Sequence, residues 1–165
     1  MGTLVTMRII GVDPGVAIVG FGIIDTMPHT MHPVSYGAIT TTANTPFEER
    51  LLTIKKNITE LIETHRPDVC AIEEVYFSKN VKTAMQVGHA RGVILCCCAE
   101  QGIPIYHYAP TAIKRAIIGY GGADKKQIQF MTKELLKLKK QPKPDDVADA
   151  LAIAICHHHS VQFNR

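Results

Sequence analysis

The sequence predicts an α/β fold in which a five-stranded mixed sheet is flanked by helices on both faces. The chain opens with three apolar segments separated by short turns, which is typical of a three-strand meander. Two more short apolar segments follow, and each comes after a stretch of helical periodicity. A meander followed by such alternation favours a mixed sheet over a wholly parallel one.

The first half of the chain contains the meander and one helix. The opening strand is predicted over Met7–Asp13 and ends at a tight Pro14-Gly15 turn. The second and third strands are predicted over residues 17–25 and 34–41. Residues 46–64 are predicted to be helical, because the apolar residues at positions 47, 51, 54, 58, 61 and 62 share one helical face.

The second half alternates between helices and strands. We predict a buried strand over residues 68–72, a helix over 82–101, a strand over 103–108, a helical piece carrying Lys114, a helix behind Asp124 and a terminal helix capped by Asp145. Small residues recur four apart at Ala84, Gly88 and Gly92, where another helix can approach closely. Packing within the monomer and a dimer seam explain this stripe equally well.

Length and composition indicate one globular unit. We expect a single domain over residues 1–165, with residues 1–6 as a candidate disordered extension. The apolar content of 46% and charged content of 20% exclude a disordered chain. The apolar stretches are far shorter than the ~20 residues of a membrane span, so we expect no contact with a membrane. A cytoplasmic, nucleoid-associated location is the corresponding expectation.

Neither the cysteines nor the histidine run has metal-site spacing. The five cysteines are an odd number without zinc-type spacing, so we expect small buried residues of a reducing compartment. His157, His158 and His159 are neighbours on a helix and point in three directions. We therefore expect a frayed helix end there.

Basic residues are concentrated in one segment. Between Thr111 and Lys143 the chain carries nine Lys or Arg against only two acids, whereas the remainder is net negative. Such asymmetry favours a polyanionic partner, most simply nucleic acid, although a solvated lysine face remains the alternative. Lys125 falls at a predicted helix start, where free backbone amides favour phosphate, and Lys114 on the preceding piece can reach the same strand.

Acidic residues occur at the ends of two strands and at the start of the last helix. Asp13 ends the first strand, Glu73 ends the fourth, and Asp146 and Asp149 lie three apart on one helical face. Capping of the helix explains Asp145 but not the other two aspartates, which repel each other. If the two strands are neighbours, four carboxylates meet and require a cation, and oxygen ligands of this kind select Mg²⁺ or Mn²⁺.

Such a carboxylate cluster predicts phosphodiester hydrolysis. Two ions ~4 Å apart would hold the attacking water and the leaving oxygen in line, without a protein nucleophile. The basic segment supports this interpretation, because it supplies cations for the phosphates of a nucleic acid.

The sequence resembles the RuvC family of crossover junction endodeoxyribonucleases over nearly its whole length. Five segments are involved: GVDPG (11–15), AIEEVYF (71–77), GHARG (88–92), IKRAIIGYGGADKKQ (113–127) and DDVADALAIAI (145–155). GVDPG alone is weak, because actin-like ATPases also begin with a strand, an aspartate and a glycine turn. The five together, in order and with compatible spacing, are specific.

The resemblance implies an RNase H-like fold, a homodimer, and a structure-selective endonuclease that nicks two strands of a Holliday junction symmetrically during recombination and repair. It also implies two Mg²⁺ ions per site, with Mn²⁺ able to substitute, and a RuvA-RuvB branch-migration motor as partner. The matching positions are Asp13, Glu73, Asp146 and Asp149 for the catalytic, metal-binding acids, and Lys114, Lys125 and Tyr76 for DNA binding. Phe77 and Lys126 are further candidate DNA-binding residues. The glycine stripe falls in the family's dimer-forming helix.

Two positions depart from the family pattern without removing a ligand. Glu74 adds an acid beside Glu73, where relatives often have an uncharged residue, and Asp145 adds one beside Asp146. Alternative functions are a catalytically silent junction-binding protein and a general RNase H-like nuclease. An actin-like ATPase or sugar kinase is disfavoured, because it needs a second glycine-rich phosphate loop and a longer chain.

Overall fold

The computed structural model describes residues 6–76 and 80–163 and contains one five-stranded mixed sheet in the order β3-β2-β1-β4-β5. The strands are β1 (Met7–Asp13), β2 (Ile18–Met27), β3 (Thr30–Thr40), β4 (Val69–Glu73) and β5 (Ile105–Tyr108). β1 pairs antiparallel with β2 and parallel with β4, so it is the central strand between the meander and the parallel half. The predicted five-stranded mixed sheet is confirmed.

Helices cover both faces of this sheet, as predicted. They are α1 (Phe47–His65), α2 (Val81–Glu100), α3 (Pro110–Ile118), α4 (Lys125–Leu135) and α5 (Asp145–Phe163). Helices α3, α4 and α5 share a core with one face of the sheet, and α1 and α2 share a second core with the other face. Alternation along β1 separates the two cores, since Ile9 packs into the first and Ile10 into the second.

Helix α5 lies directly against the sheet because glycines leave room for its backbone. A Cβ atom added to Gly20 would lie 2.0 Å from the Asp146 carbonyl oxygen, and one added to Gly11 would lie 2.2 Å from that of Ala150. Any side chain at these two positions would collide with helix backbone, which cannot turn aside as a side chain can. The glycines thus set the depth and position of α5, and with it the place of its acidic first turn.

Two predictions about the ends of α5 are wrong. Asp145 is the first helical residue and not the N-cap, and its carboxylate instead accepts a hydrogen bond from Lys143 Nζ at 3.3 Å. The histidine run is not a frayed end, because His157 and His158 are buried and the helix continues to Phe163. The Tyr108 hydroxyl and His157 Nδ1 share a hydrogen bond of 2.6 Å, which explains how a polar ring is accommodated there.

The predictions for the cysteines are confirmed in part. Four of the five cysteines are buried as predicted, but Cys96 is exposed on α2. None of the helices in the described ranges combines the length and apolarity needed to cross a membrane. Of the predicted N-terminal extension, residues 1–5 lie outside the described part of the chain, and Thr6 is exposed.

Candidate active site

Asp13 and Glu73 are brought together by the parallel pairing of β1 and β4. Val12 is aligned with Ile72, and each strand ends one residue later, at Asp13 and at Glu73. The two carboxylates therefore leave the same edge of the sheet side by side. In open sheets with parallel strands, this carboxyl edge is where functional sites concentrate.

Helix α5 adds the two aspartates from above the sheet. Gly20 is the antiparallel partner of Asp13, and the backbone of Asp146 packs directly on Gly20. One turn further along, Asp149 lines a cavity of about 310 Å³ together with Glu73. The structure thus brings Asp13, Glu73, Asp146 and Asp149 to one region, although they are separated by up to 136 positions in the chain.

Burial and neighbouring charges disfavour the ionised form of three of these carboxyl groups. The pKa of Asp13 is raised to about 8 by burial and by the charges of Asp149, Glu73 and Asp146. Burial, followed by the charge of Asp149, also raises the pKa of Glu73. The pKa of Asp149 is raised chiefly by burial, despite the opposing effect of Lys125. Each of these groups is less favourably ionised than it would be in water.

The chemistry of this donor set fits a hard divalent cation. All four groups offer carboxylate oxygens, which Mg²⁺ and Mn²⁺ prefer, and a cation among them would offset the mutual repulsion of their charges. In residues 6–76 and 80–163, no three His, Cys, Asp or Glu side chains are close enough to hold a metal ion without rearrangement. The carboxylates therefore lie in one region without forming a ready-made metal site in the described part of the chain.

Lysines face the acids from α3 and α4. Lys125 Nζ lies 3.6 Å from Asp145 Oδ2 and 3.7 Å from Asp149 Oδ2, and the charge of Asp149 is the main cause of its raised pKa. Lys114 lies near enough to Glu73 to oppose the rise in its pKa. Both lysines line the 310 Å³ cavity, whereas Lys126 is not among its lining residues and is exposed to solvent.

A capping box fixes Lys125 at the first turn of α4. The Gln127 amide donates to Asp124 Oδ1 at 2.9 Å, and the Asp124 amide donates to Gln127 Oε1 at 2.9 Å. Lys125 is consequently the first residue of the helix, where unpaired backbone amides and the helix dipole favour an anion. This confirms the predicted start of the helix.

A second cavity of about 290 Å³ opens on the other side of Asp13 and Glu73, towards Tyr76. Tyr76 is 59% exposed, and its hydroxyl donates to Glu74 Oε2 at 2.7 Å. This hydrogen bond is the main cause of its raised pKa. Glu74, the extra acid that departs from the family pattern, is therefore hydrogen-bonded to Tyr76. Phe77, the other predicted aromatic, lies outside the described residues.

Two contacts near the acids were not predicted from the sequence. Asp145 is paired with Lys143 and Lys125, and the hydrogen bond from Lys143 is the main reason that its pKa is lowered. On the opposite face of the sheet, Arg91 Nε donates to the Glu73 carbonyl oxygen at 3.3 Å. Arg91 lies in the GHARG segment, which was the available signal, but that segment had been interpreted only through its glycines.

The comparisons with known proteins agree with this geometry. The sequence model described as Crossover junction endodeoxyribonuclease RuvC matches residues 9–157. The chain belongs to the RuvC family. A crossover junction endodeoxyribonuclease RuvC from Brevibacillus brevis is 55% identical over 151 residues, which are 92% of this chain and 91% of the relative. The resemblance inferred from the motifs is therefore confirmed.

Solved RuvC structures share the whole architecture. Thermus thermophilus RuvC in complex with Holliday junction substrate has a TM-score of 0.91 and 32% identity, covering 96% of each chain. The yeast mitochondrial Holliday junction resolvase has a TM-score of 0.67 at 14% identity, over 96% of this chain and 82% of that one, and supports the fold alone. The predicted RNase H-like fold is confirmed, and the RuvC family is one of metal-dependent nucleases.

Proposed function

We propose that Asp13, Glu73, Asp146 and Asp149 are the metal-binding, catalytic acids with which this chain cuts Holliday junctions. A RuvC crossover junction endodeoxyribonuclease at 55% identity covers 92% of the chain, and the chain is an enzyme of this class that acts on junction DNA. The observation that supports the site is the meeting of the ends of β1 and β4 with the first turns of α5, where burial and then the charges of Asp149, Glu73 and Asp146 raise the pKa of Asp13 to about 8. Such a cluster is unfavourable unless a cation joins it.

Two Mg²⁺ ions, replaceable by Mn²⁺, would supply the activation of a water molecule and stabilise the leaving oxygen when bound. The residues of the chain would divide the remaining work. The four acids hold the reacting centre at the edge of the sheet. Lys114 and Lys125, which line the same cavity as Glu73 and Asp149, hold phosphate oxygens of the cut strand. Outside this cavity, further contacts to the junction DNA come from Lys126, Tyr76 and Phe77.

Cleavage of an end-labelled synthetic four-way junction tests this assignment. Asp149→Asn should abolish Mg²⁺-dependent nicking and leave junction binding intact, because the carboxylate is needed for chemistry and not for contact with DNA. Glu134→Gln, which neutralises an exposed acid on α4, is the matched control and should cut normally. Retained cutting by Asp149→Asn would show that the ligand set is wrong.

The same assay separates the alternative functions. A catalytically silent junction-binding protein would shift the junction in a gel without nicking it at any metal concentration. A general RNase H-like nuclease would cut an RNA-DNA hybrid as fast as a junction. The proposed activity requires paired, symmetric nicks in the junction and little cleavage of the hybrid.

A homodimer through α2 is the second part of the proposal. A Cβ atom added to Gly88 or to Gly92 meets nothing within 4 Å, so packing within the subunit does not require these glycines. Val81 and Met85, on the same side of the helix, are each 57% exposed. A second copy of α2 would cover this apolar face, and two subunits would supply one acidic site for each cut strand.

Sedimentation of Gly88→Leu tests the dimer. Because the position is open and leucine is the better helix former, the isolated subunit should keep its stability. The bulk should nevertheless prevent close approach of two helices and give monomers that bind the junction without paired cutting. Glu60→Leu, at an exposed position of α1, is the control and should remain dimeric. A dimeric Gly88→Leu would exclude this surface.

Association with a RuvA-RuvB motor and a cytoplasmic, nucleoid-associated location complete the proposal. Their support is family membership. Co-purification of the three proteins on a tethered junction tests the first, and fluorescence microscopy of a tagged chain tests the second.

A further inference from the structure

We propose that Arg91 is a positioning residue that holds the peptide group after Glu73 and thereby aims the Glu73 carboxylate at the reacting centre. The proposal rests on the proposed role of Glu73. It concerns a residue on the face of the sheet opposite to α5, so Arg91 acts through the backbone and does not contact DNA or metal in this arrangement.

The guanidinium of Arg91 spans the ends of two strands. Its Nε donates to the Glu73 carbonyl oxygen at 3.3 Å, at the end of β4. Its terminal nitrogen contacts His107 Nδ1 on the adjacent strand β5. Guanidinium nitrogens only donate, so His107 accepts at Nδ1. One partly buried side chain of α2 therefore joins both strands close to the predicted acids.

These contacts restrict the orientation of the Glu73 backbone. The peptide group between Glu73 and Glu74 is held on both sides, because the Glu74 amide donates to the Tyr108 carbonyl at 2.9 Å while Arg91 donates to the Glu73 carbonyl. The preceding residue, Ile72, is held by its pairing with Val12. With the peptide groups on each side constrained, the Cα–Cβ direction of Glu73 is constrained too.

Precision matters here because the charges around the Glu73 carboxylate act in opposite directions. Asp149 repels it and Lys114 attracts it, so its placement depends on the backbone that carries it. Placement within about 0.5 Å is typical of productive sites, and a displacement of about 1 Å can cost ~100-fold in rate.

The proposal also links the site to the second face of α2. Gly88 and Gly92 flank Arg91 in sequence and face open space, while Ala90 and Ile94 anchor the same turns in the core. A helix held on its outer side by a second subunit would present Arg91 to β4 and β5 from a fixed position. Dimer formation would then improve the placement of Glu73 as well as pairing two sites.

The test compares Arg91→Ala and Arg91→Lys with Arg8→Ala. Arg8 is a matched control at the opposite end of the sheet, since it also joins a backbone carbonyl, that of His65, and a side chain, that of Asp25. Single-turnover cutting at saturating junction should fall ~10- to 100-fold in Arg91→Ala. Junction Kd and dimer content should change less than about twofold. Arg91→Lys should recover part of the rate, because one ammonium reaches one of the two acceptors.

Mn²⁺ binding followed by electron paramagnetic resonance, without DNA, gives a readout independent of cutting. Arg91→Ala should bind Mn²⁺ several-fold more weakly, and Arg8→Ala should bind it as the unchanged protein does. Thermal unfolding shows whether each variant is folded at the assay temperature. If Arg91→Ala misfolds, Arg91→Lys carries the comparison, and its rate and Mn²⁺ affinity must then lie clearly below those of Arg8→Ala.

Normal cutting and normal Mn²⁺ affinity in folded Arg91→Ala would overturn the positioning role. Equal losses in Arg91→Ala and Arg8→Ala would also overturn it, because they would indicate a general loss of stability. Failure of the underlying site assignment is distinguishable, since Glu73→Gln would then still cut. A Glu73→Gln variant that is inactive, combined with a normal Arg91→Ala, would reject only the inference about Arg91.

Discussion

The environments of the acidic side chains differ at the two ends of β1. At the amino end, Arg8 donates to Asp25 at 2.7 and 2.8 Å and to the His65 carbonyl at 2.9 Å, and the hydrogen bond from Arg8 lowers the pKa of Asp25. At the carboxyl end, Asp13 is buried among like charges, and its pKa is raised to about 8. One aspartate has its counter-charge in the folded chain, whereas the other lacks sufficient counter-charge.

The difference separates a carboxylate that stabilises the fold from one that we propose to be catalytic. A fork of guanidinium bonds stabilises the fold and engages both oxygens of the carboxylate. A group of opposed, half-buried carboxylates destabilises the fold and is retained where an external cation compensates it. Neutralising Asp13 at the carboxyl end should therefore raise the metal-free stability of the fold. Neutralising Asp25 at the amino end should lower it.

The largest expected effect comes from exchanging the two aspartates for asparagine. Asp13→Asn should lower Mg²⁺-dependent cutting ~1,000-fold or more, because a metal site loses several kcal/mol of transition-state stabilisation. Its metal-free stability should rise. Asp25→Asn should cut normally and lose about 1 kcal/mol of stability, as expected for a partly exposed pair. Cutting rates and urea unfolding in EDTA measure both, and a destabilised Asp13→Asn would contradict the comparison.

The next effect concerns the glycine beneath the acidic turn. Gly20→Ala should destabilise the protein by ~1–3 kcal/mol or more and disturb cutting, because the new methyl group meets helix backbone at 2.0 Å. A methyl group added to Gly122 would meet only the Tyr120 ring, at an ordinary contact distance of 3.6 Å, so Gly122→Ala should be nearly neutral for stability. Equal unfolding midpoints for the two variants would show that α5 can move away from the sheet at little cost.

The pH dependence of metal-free stability should distinguish the ends by sign. The folded pKa of Asp13 is about 8 against an ordinary 3.8, so its stabilising contribution is complete below 3.8 and is lost as pH rises to about 8. For Asp25 the folded pKa is lowered, so its contribution is present above 3.8 and is lost as pH falls through the folded value. Urea midpoints in EDTA should fall between pH 5 and 8, and Asp13→Asn should flatten this slope. A slope unchanged by Asp13→Asn would refute the assignment.

A smaller effect is expected from the cation that partly compensates the acids. Lys125→Ala should bind Mn²⁺ a few-fold more tightly without DNA, because its ammonium lies 3.7 Å from Asp149 and competes with the ion. The same variant should bind junction DNA more weakly and reduce the salt slope by about one. Lys143→Ala, which contacts only the neighbouring Asp145 among the described ion pairs, is the control. Loss of both affinities in Lys125→Ala would indicate a structural role instead.

Lys114→Ala should weaken junction binding without the change in Mn²⁺ affinity expected for Lys125→Ala. Its charge acts on Glu73, and no ion pair within 4.0 Å is found for it among the described residues. Junction binding measured against salt should lose about one unit of slope, with Mn²⁺ affinity nearly unchanged. An unchanged slope would remove Lys114 from the phosphate contacts.

Local pattern was sufficient for most of the fold. Apolar periodicity placed the sheet strands and helices within a few residues, because burial imposes a period of two on strands and 3.6 on helices. The capping box at Asp124 also predicted the start of α4 correctly, because its hydrogen bonds join residues only three apart. The candidate acids follow from residue type and from their places at the ends of elements.

Expectations that depended on long-range contacts were less secure. The helix end at His157 was misjudged because its partner, Tyr108, is 49 residues away. The pattern predicts a cap at Asp145, but the helix already includes this residue, and its carboxylate pairs with Lys125 of α4, 20 residues earlier. Arg91 was overlooked because its hydrogen bond to Glu73 crosses from a helix to a strand end.

By itself, the sequence determined the order of the elements, the set of acids and lysines, and the family to which they belong. Only the tertiary structure decided which charges meet, which find a counter-charge and which remain opposed. The physical reason is that burial and electrostatic coupling depend on distances between distant residues. Here those distances are set by the close seating of α5 on Gly11 and Gly20 and by the pairing of β1 with β4.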